Sequence, residues 1–540
     1  MAASTTSANK TDTARKHLHA DRAEKALRAL GQVERSDREA LLLSGQARMA
    51  LHQYEKACEA FDGILQLNAN DGAARGFLAS ALLSTGQISS AIEHSRRAVG
   101  DDPELAAAWG TLGLALFQDG NYPESESALE RARALSPDTI RHGINLIASF
   151  EKQGKLVDAE MEGLRLLEQF PDRASVLIAL GNVYSALGEP ERSIEMFQKA
   201  RALDIDFSEQ FSGYLFSLHY TPGVTEAEIL QASQARDRIL HAGVSRLDLS
   251  ERNFDPERKL RVGFLGASFS QHPVGIFILS PLHFTDNSDF EFIAYDNGSP
   301  RDNVNSLLRR EFGEWVDIAG LSDQDAAERI NEDNVDILID LIGYSERHRM
   351  GVLARKPAPV QVKWVGGQLG TTGLASLDCF ITDHIESPEG TESVYSERLV
   401  RLPDDYVCYT PPGYAPPVNE LSAFKTGYVT FGSLNKLAKV NDELLEVWAR
   451  VLDSVPESRL SLRAKPLQDE KVRERLCSRF ASVGGDPSRL ELRGPAPHDD
   501  FLRTYEEIDI GLDTWPYSGG LTTCEALWMG VPVVSREGGT

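Results

Sequence analysis

One lysine lies where a predicted strand gives way to a predicted helix, a position suited to binding an anion. The segment 431–441 reads Phe-Gly-Ser-Leu-Asn435-Lys436-Leu-Ala-Lys439-Val-Asn441, and Asn441 is a residue type that caps helix N-termini. The charge of Lys439 and the partial positive charge of the helix start would together favour a diphosphate. The alternative is a solvated surface lysine, which is the usual environment of this residue.

A second strand is followed by a glycine-containing turn and a helix, in residues 513–530. Gly519 and Gly520 allow backbone amides to approach a ligand without hindrance from a Cβ atom. Thr522 and Thr523 add hydroxyl donors, and Glu525, about one turn into the helix, is placed to accept hydrogen bonds from ribose hydroxyls. The alternative is a tight turn before a capped helix, with no ligand.

A histidine follows another predicted strand, at residues 260–265. Because imidazole titrates near neutrality, His272 could take a proton from an attacking hydroxyl. The alternative is a structural histidine.

A glycine-rich loop, residues 364–373, also follows a strand and contains Thr371 and Thr372. Its amides and hydroxyls could line a sugar pocket, or the segment could be an ordinary flexible loop. The sequence has no Asp-x-Asp motif placed for a metal ion. We therefore expect Lys439 and helix starts to neutralise the diphosphate, with no metal and no cofactor.

The elements that would position these residues alternate between strands and helices. Predicted strands lie at 260–265, 290–295, 335–340, 360–364 and 379–382, and then at 428–431, 459–463, 489–492, 508–512 and 531–534. Such alternation predicts parallel sheets covered on both faces, with ligands beyond the carboxyl ends of the strands. We expect two α/β lobes, 259–402 and 427–540, joined by a linker at 403–426. Only six residues follow Val534, so the second lobe is expected to be incomplete.

Small residues recur every 34 residues in the first part of the chain, which is the period of tetratricopeptide repeats. One column holds Gly45, Ala79, Gly113, Ile147 and Gly181; another holds Ala69, Pro103, Pro137, Pro171 and Ile205. The pattern predicts five repeats over 38–207, an N-terminal segment 1–37 with a partial repeat, and a helical connector 208–258. Stacked repeats form a solenoid whose concave face binds extended peptides. Oligomerisation through the repeats is an alternative that can coexist with peptide binding.

Composition excludes several other classes. Acidic residues outnumber basic ones, 81 to 56, and the formal charge of −25 argues against nucleic acid or membrane as a main partner. The five cysteines are dispersed without a Cys-x-x-Cys pair, which indicates neither a disulfide framework nor a zinc site. With no apolar signal segment at the N-terminus and no membrane-length apolar run, we expect a cytoplasmic protein.

Four segments together resemble the O-GlcNAc transferase/SPINDLY family. They are 271–273, 355–361, 429–439 and 513–532, and they occur in the family's order behind the repeats. The resemblance implies a two-lobed GT-B fold after the α-solenoid. It also implies inverting, metal-independent transfer of a sugar from a nucleotide donor to Ser or Thr of a protein held along the repeats.

The resemblance also implies roles for individual residues. Lys439 would stabilise the leaving diphosphate, with Asn435 and Lys436 in the same loop, and His272 would lie beside the reacting sugar as a candidate base. Further donor-site residues would be Gly519, Gly520, Thr522 and Thr523 at the phosphates, Glu525 at the ribose and His498 in the segment on the nucleobase side.

The sequence departs from the animal O-GlcNAc enzymes at three places. Leu521 replaces a histidine in the Gly-His-Thr-Thr turn, Phe501 replaces another histidine, and the loop after Trp364 is one residue longer. The second lobe is more similar to the SPINDLY branch, which uses GDP-fucose, so the donor stays open between UDP-GlcNAc and GDP-fucose. Two alternatives are an adaptor with a degenerate nucleotide-sugar domain and a glycosyltransferase acting on small molecules or glycans.

Overall fold

The computed structural model describes residues 2–34, 36–203, 211–250, 252–255, 257–367 and 370–538. The chain divides into two compact units, Met1–Leu180 and Gly181–Thr540.

The first unit is built of helices that pack against their neighbours along the chain. They are α1 (Ala2–His19), α2 (Ala23–Leu30), α3 (Arg38–Ala50), α4 (Tyr54–Leu67), α5 (Gly72–Ser84), α6 (Ile88–Asp101), α7 (Ala106–Gln118), α8 (Tyr122–Leu135), α9 (Ile140–Gln153), α10 (Leu156–Gln169) and the start of α11 (Ala174–Ala186). This confirms the predicted repeat fold. Helix α1 was not anticipated from the Ser-, Thr- and Ala-rich N-terminus.

The column of small residues explains the close packing within each repeat. A Cβ atom at Gly45 would overlap the ring of Phe61, and one at Gly113 would lie 2.5 Å from Leu129 Cγ. The prolines at 103, 137 and 171 follow the ends of α6, α8 and α10, where a missing N–H does no harm. The fifth member of that column, Ile205, lies outside the described residues.

The second unit begins with the end of the fifth repeat and a helical connector. These comprise the end of α11, then α12 (Pro190–Leu203), α13 (Phe211–Tyr220) and α14 (Glu226–His241). Helix α13 ends just before Thr221-Pro222-Gly223. A capping box between Thr225 and Glu228 starts α14.

A seven-stranded parallel sheet forms the first lobe. Its strands are β1 (Leu260–Gly266), β2 (Phe290–Asp296), β3 (Glu314–Asp317), β4 (Ile337–Asp340), β5 (Val360–Lys363), β6 (Cys379–Asp383) and β7 (Arg398–Leu402), in the order β3-β2-β1-β4-β5-β6-β7. Its helices are α15 (Pro273–Phe284), α16 (Asn303–Glu311), α17 (Asp323–Glu332) and α18 (Met350–Ala354). The five predicted strands are present. The prediction missed β3 and β7, the two edge strands, which are short and carry charged residues.

A five-stranded parallel sheet forms the second lobe. Its strands are β8 (Thr430–Ser433), β9 (Arg459–Arg463), β10 (Leu490–Arg493), β11 (Ile510–Leu512) and β12 (Val533–Val534), in the order β10-β9-β8-β11-β12. The helices are α19 (Ala423–Thr426), α20 (Asp442–Ser454), α21 (Glu470–Ser482), α22 (His498–Arg503) and α23 (Leu521–Trp528). Helix α19 lies in the segment between the lobes.

Each sheet changes winding direction at one pair of adjacent strands, β1 and β4 in the first lobe and β8 and β11 in the second. Loops diverge at such a point and leave a crevice at the carboxyl ends of the strands. His272 follows β1, Lys439 follows β8, and the glycine turn follows β11. The strand order therefore brings the candidate residues to the crevices.

Candidate active site

The Lys439 side chain is buried between two loops of the second lobe. It is 9% exposed, and its ammonium donates to the Ser518 carbonyl oxygen at 2.7 Å and to Asn435 Oδ1 at 3.2 Å. The ammonium also lies 4.7 Å from the centre of the Tyr517 ring. The alternative of a solvated surface lysine is therefore wrong for Lys439.

The Lys439 charge has only neutral acceptors in direct contact. Within the described residues no carboxylate lies at ion-pair distance from this ammonium. Burial lowers the pKa of Lys439 to about 8; Asp513 opposes this shift and Lys436 adds to it. The group is therefore mostly cationic at pH 7, and a phosphate oxygen would be a stronger acceptor than either present partner.

Asp513 stabilises the glycine turn after β11 by hydrogen bonds to its backbone. Its Oδ1 atom accepts from the backbone N–H groups of Thr514 at 2.8 Å and Gly519 at 2.7 Å. A Cβ atom at Gly519 would lie 2.9 Å from Thr522 Oγ1, so only glycine fits beside the threonine hydroxyls. Helix α23 starts at Leu521 without a side-chain cap from Gly520.

The turn and the Lys439 loop meet at a shared residue. Thr522 Oγ1 donates to Asn435 Oδ1 at 3.2 Å, and Asn435 Oδ1 also accepts from Lys439. The structure thus brings together Asn435, Lys439, Gly519 and Thr522, as the two motifs predict.

A hydrogen-bond chain connects the two lobes beside this cluster. Gln271 Nε2 donates to the Tyr414 hydroxyl at 2.5 Å, which lies 2.7 Å from His498 Nδ1. His498 Nε2 lies 2.8 Å from Glu525 Oε1, a carboxylate on a residue only 2% exposed. The predicted ribose and nucleobase-side residues, Glu525 and His498, are therefore in contact with each other.

His272 caps the N-terminus of α15 with its own ring. Nδ1 accepts from the Val274 N–H at 3.3 Å. Although the side chain reaches solvent, the walls of the cleft desolvate it in part. This desolvation lowers the pKa of His272 to about 4, with further contributions from Lys436 and Arg347. The ring is neutral at pH 7, and because Nδ1 is the acceptor, its proton lies on Nε2.

Thr371 and Thr372 are buried, and Glu397 engages both hydroxyls. Thr371 Oγ1 donates to Glu397 Oε2 at 2.7 Å, and Thr372 donates its hydroxyl and its backbone N–H to Glu397 Oε1. These side chains brace the glycine-rich loop internally. Gln368 and Leu369, which belong to the same predicted loop, lie outside the described residues.

A cavity of about 460 Å³ lies where three segments of this unit meet. The segments are the glycine-rich loop at Gly370 and Thr371, the turn at residues 515–520, and the connector at residues 218–229. Its walls also carry Glu386, Tyr395 and Tyr406. Aromatic faces, hydroxyls and carboxylates suit a polar ligand with apolar edges, such as a sugar, and the volume is typical of ligand sites.

Comparison with known proteins identifies the fold. The family model described as glycosyl transferase family 41 matches residues 231–409 and 423–540, more than half of the chain. The chain belongs to glycosyl transferase family 41. Tetratricopeptide repeat models match residues 78–139 and 174–204 ahead of the family 41 region.

Similar curated proteins include plant proteins named SPINDLY and SEC. The chain is 40% identical over 292 residues to a probable UDP-N-acetylglucosamine–peptide N-acetylglucosaminyltransferase SPINDLY of Petunia hybrida, covering 53% of this chain and 31% of that protein. It is 29% identical over 292 residues to the probable enzyme named SEC of Arabidopsis thaliana, covering 52% and 29%. The chain therefore spans about a third of the length of the curated relatives that it matches.

A solved O-GlcNAc transferase shares the fold of this chain. The O-GlcNAc transferase of Thermobaculum terrenum, determined as a point mutant, superposes with a TM-score of 0.71 at 32% identity, covering 87% of this chain and 82% of that one. This similarity supports a two-lobed family 41 architecture behind a repeat array.

Sequence reasoning missed several residues that line the cavity. Glu386 is the clearest case: burial raises the pKa of its carboxyl, and Asp383 and Asp405 raise it further. It follows β6 by three residues, so the rule that located His272 and Lys439 at strand ends could have located it. Tyr406 and the connector residues lie outside strand ends and gave no such signal.

Two kinds of feature are absent from the described residues. No helix in that part of the chain is long and apolar enough to span a membrane. No group of three or more His, Cys, Asp or Glu side chains in the described ranges is arranged to hold a metal ion.

Proposed function

We propose that this chain transfers a sugar from a nucleoside diphosphate donor to Ser or Thr hydroxyls of protein substrates. The observation that carries the proposal is the buried Lys439 ammonium, which has neutral hydrogen-bond partners and lies against the glycine turn at 519–523. A cation, an uncapped helix start and small residues at one point are the features that bind a pyrophosphate.

The reaction is a single displacement at the anomeric carbon. The acceptor oxygen forms a bond to that carbon while the bond to the β-phosphate oxygen breaks, with inversion. The leaving nucleoside diphosphate gains negative charge, which Lys439 stabilises, and the acceptor hydroxyl proton leaves to a base. In this proposal Lys439 and the amides of the turn supply the neutralisation, and no metal or other cofactor takes part.

His272 is better suited in this geometry to donate a hydrogen bond than to act as the base. Its Nε2–H is the group available to a ligand, because Nδ1 accepts from Val274. To serve as the base, the ring must give up that contact. We assign His272 a hydrogen bond to the donor sugar or phosphate, and Glu525 and His498 the nucleoside side.

The donor is UDP-GlcNAc or GDP-fucose. Higher identity to the SPINDLY relative than to the SEC relative supports a second lobe similar to the SPINDLY branch, as do Leu521 and Phe501. The acceptor is a protein segment held by the tetratricopeptide repeats, since such arrays bind extended peptides.

A transfer assay on the full chain tests the proposal, with Lys439→Met compared with Lys425→Met. Lys425 lies on the exposed side of α19 and serves as the matched control. A thermal-shift screen with UDP, GDP, UDP-GlcNAc and GDP-fucose names the donor, because a ligand of the native state raises Tm. Equal transfer by both lysine variants would refute the catalytic assignment. Nucleotide binding without any transfer would favour the adaptor alternative.

A further inference from the structure

The backbone that carries Lys439 rests on a turn of the fifth repeat. This turn joins α11 to α12 and contains Leu187, Gly188 and Glu189. A Cβ atom at Gly188 would overlap the carbonyl oxygen of Val440 and lie 2.8 Å from that of Leu437. Those two carbonyls flank Lys439 on both sides, so no side chain fits between the repeat turn and the lysine loop.

Arg479 fastens the two backbones together. Its guanidinium donates to the carbonyl oxygens of Leu187 at 2.7 Å and Gly188 at 2.8 Å, and to that of Val440 at 3.0 Å. The remaining contact is Asp442 Oδ1 at 2.8 Å. The guanidinium of Arg479, a single rigid group, thus binds the two carbonyls that follow α11 and the carbonyl next to Lys439.

A second contact reinforces the first on the same helix. Arg475 lies one turn before Arg479 on α21, and its Nε donates to Glu189 Oε1 at 2.8 Å. On the far side of the loop, Asn441 Nδ2 donates to the Trp515 carbonyl oxygen at 2.8 Å. The loop is therefore held from the repeat turn and from the glycine turn at once.

Gly188 differs in its contacts from the glycines at the equivalent positions of earlier repeats. Gly86, Gly120 and Gly154 occupy the same place in earlier repeats, with φ of +76°, +84° and +77°, against +75° at Gly188. At Gly86 and Gly120 a Cβ atom would meet nothing within 4 Å. His52 occupies the position in the first repeat with φ of +56°, so a side chain is tolerated there. Only contact with the Lys439 loop distinguishes Gly188 from Gly86 and Gly120.

We propose that Gly188 and Arg479 are positioning residues that set the place of Lys439 in the diphosphate site, so that the fifth repeat is a structural part of that site. The proposal rests on the proposed function of Lys439. It goes further because it assigns a repeat turn, and not only the catalytic lobes, to the chemistry of the leaving group.

The test compares Gly188→Ala with Gly120→Ala in the full chain. Both substitutions impose the same left-handed strain, and Gly188→Ala adds the overlap with the Val440 carbonyl oxygen, so it should lower Tm at least as much as Gly120→Ala. Gly188→Ala alone should displace the lysine loop and weaken UDP or GDP binding, measured by calorimetry, by roughly tenfold or more. Equal nucleotide affinity in the two variants would overturn the proposal.

A pH profile separates positioning from general destabilisation. Loosening the loop should hydrate Lys439 and remove part of the burial that lowers its pKa. The pH at which nucleotide binding falls should therefore move upward in Gly188→Ala and stay unchanged in Gly120→Ala. Arg479→Lys keeps the charge but loses the fork, and should move the profile in the same direction even if Gly188→Ala does not fold.

The contacts of Gly188 and Arg479 with the Lys439 loop are here called the clamp. Hydrogen exchange tests the clamp without any nucleotide. The Lys439 and Val440 amides donate to the carbonyls of Lys436 and Leu437. They should exchange faster in Gly188→Ala and Arg479→Lys than in wild type or Gly120→Ala. If they do so in a protein that binds no nucleotide, the clamp stands and the proposed function fails; unchanged exchange with intact nucleotide binding refutes the clamp.

Discussion

Two buried lysines in the α/β lobes each lie at or beyond the carboxyl end of a strand. They differ in whether a carboxylate lies close to the ammonium. Lys363 ends β5 in the first lobe, and its ammonium donates to the carbonyl oxygens of Val365 and Gly366 at 2.6 and 2.5 Å and lies 3.6 Å from Asp340 Oδ2. Lys439 has two neutral acceptors and no carboxylate at ion-pair distance within the described residues. Burial lowers the pKa of both. Burial alone therefore does not distinguish the two lysines; the compensating carboxylate beside Lys363 does.

The largest effect on stability is expected from removing the ammonium of Lys363, which is paired with a carboxylate. Lys363→Met leaves the Asp340 carboxylate buried without its cation and should lower the free energy of unfolding by about 3–5 kcal/mol. Denaturant unfolding measures the loss. The double variant Lys363→Met with Asp340→Asn should recover much of it, and an unaltered stability in the single variant would contradict the comparison.

Lys439→Met should instead leave stability unchanged or increase it, because a desolvated cation is removed. Transfer should fall roughly 100-fold or more, as expected when one group that stabilises transition-state charge is lost. Kinetics and thermal unfolding on the same preparation measure both quantities. A fall in Tm as large as that of Lys363→Met would show that the two lysines are equivalent supports.

The third test uses pH. The pKa of Lys439 in the fold, about 8, lies below its ordinary value of 10.5, so its cation is present below pH 8 and is lost as the pH rises through it. Nucleoside diphosphate binding should weaken above pH 8, and binding near this pH should take up protons. Calorimetry in buffers of different ionisation enthalpy measures the uptake, and Lys439→Arg, which stays charged, should abolish it. The same pKa means that the unfolded chain binds more protons between pH 8 and 10.5, so this group makes stability rise with pH there.

The smallest effect should come from Lys436. Its charge lowers the pKa of both Lys439 and His272. Lys436→Gln should therefore raise both values and shift the pH profile of binding upward, with a modest loss of affinity. Nuclear magnetic resonance titration of the His272 ring reads the shift directly; a downward shift would contradict the electrostatic account.

The sequence predicted what depends on short-range pattern. The 34-residue columns predicted the helix pairs, and strand–helix alternation predicted both sheets except the edge strands β3 and β7. Their charged residues and short length give no apolar run to detect. Strand-end logic also placed Lys439 and the 519–523 turn beyond the carboxyl ends of strands. The strand order of the structure, with β8 beside β11, brings the two together.

The rest depends on contacts between distant residues. Thr371 and Thr372 were expected to line a sugar pocket. Thr371 lies in the wall of the cavity, but both hydroxyls bind Glu397, about 25 residues away, and nothing local indicates that pairing. The tautomer of His272 depends on a single N-cap hydrogen bond. The contact of Gly188 with the Lys439 loop joins segments about 250 residues apart, so local periodicity could not show that this one glycine differs from its counterparts. Donor identity, acceptors, oligomeric state and cytoplasmic location stay predictions.

The clamp at Gly188 has a consequence for how such proteins can vary in size. Because repeats in a solenoid contact mainly their neighbours, whole 34-residue units can be added or removed ahead of α11 without altering the turn that touches the lysine loop. The length of the array can then change in steps while the lysine loop stays unaltered. Grafting a foreign array onto this chain should succeed at a junction before Ala174 and fail at one after Glu189, which would replace Gly188.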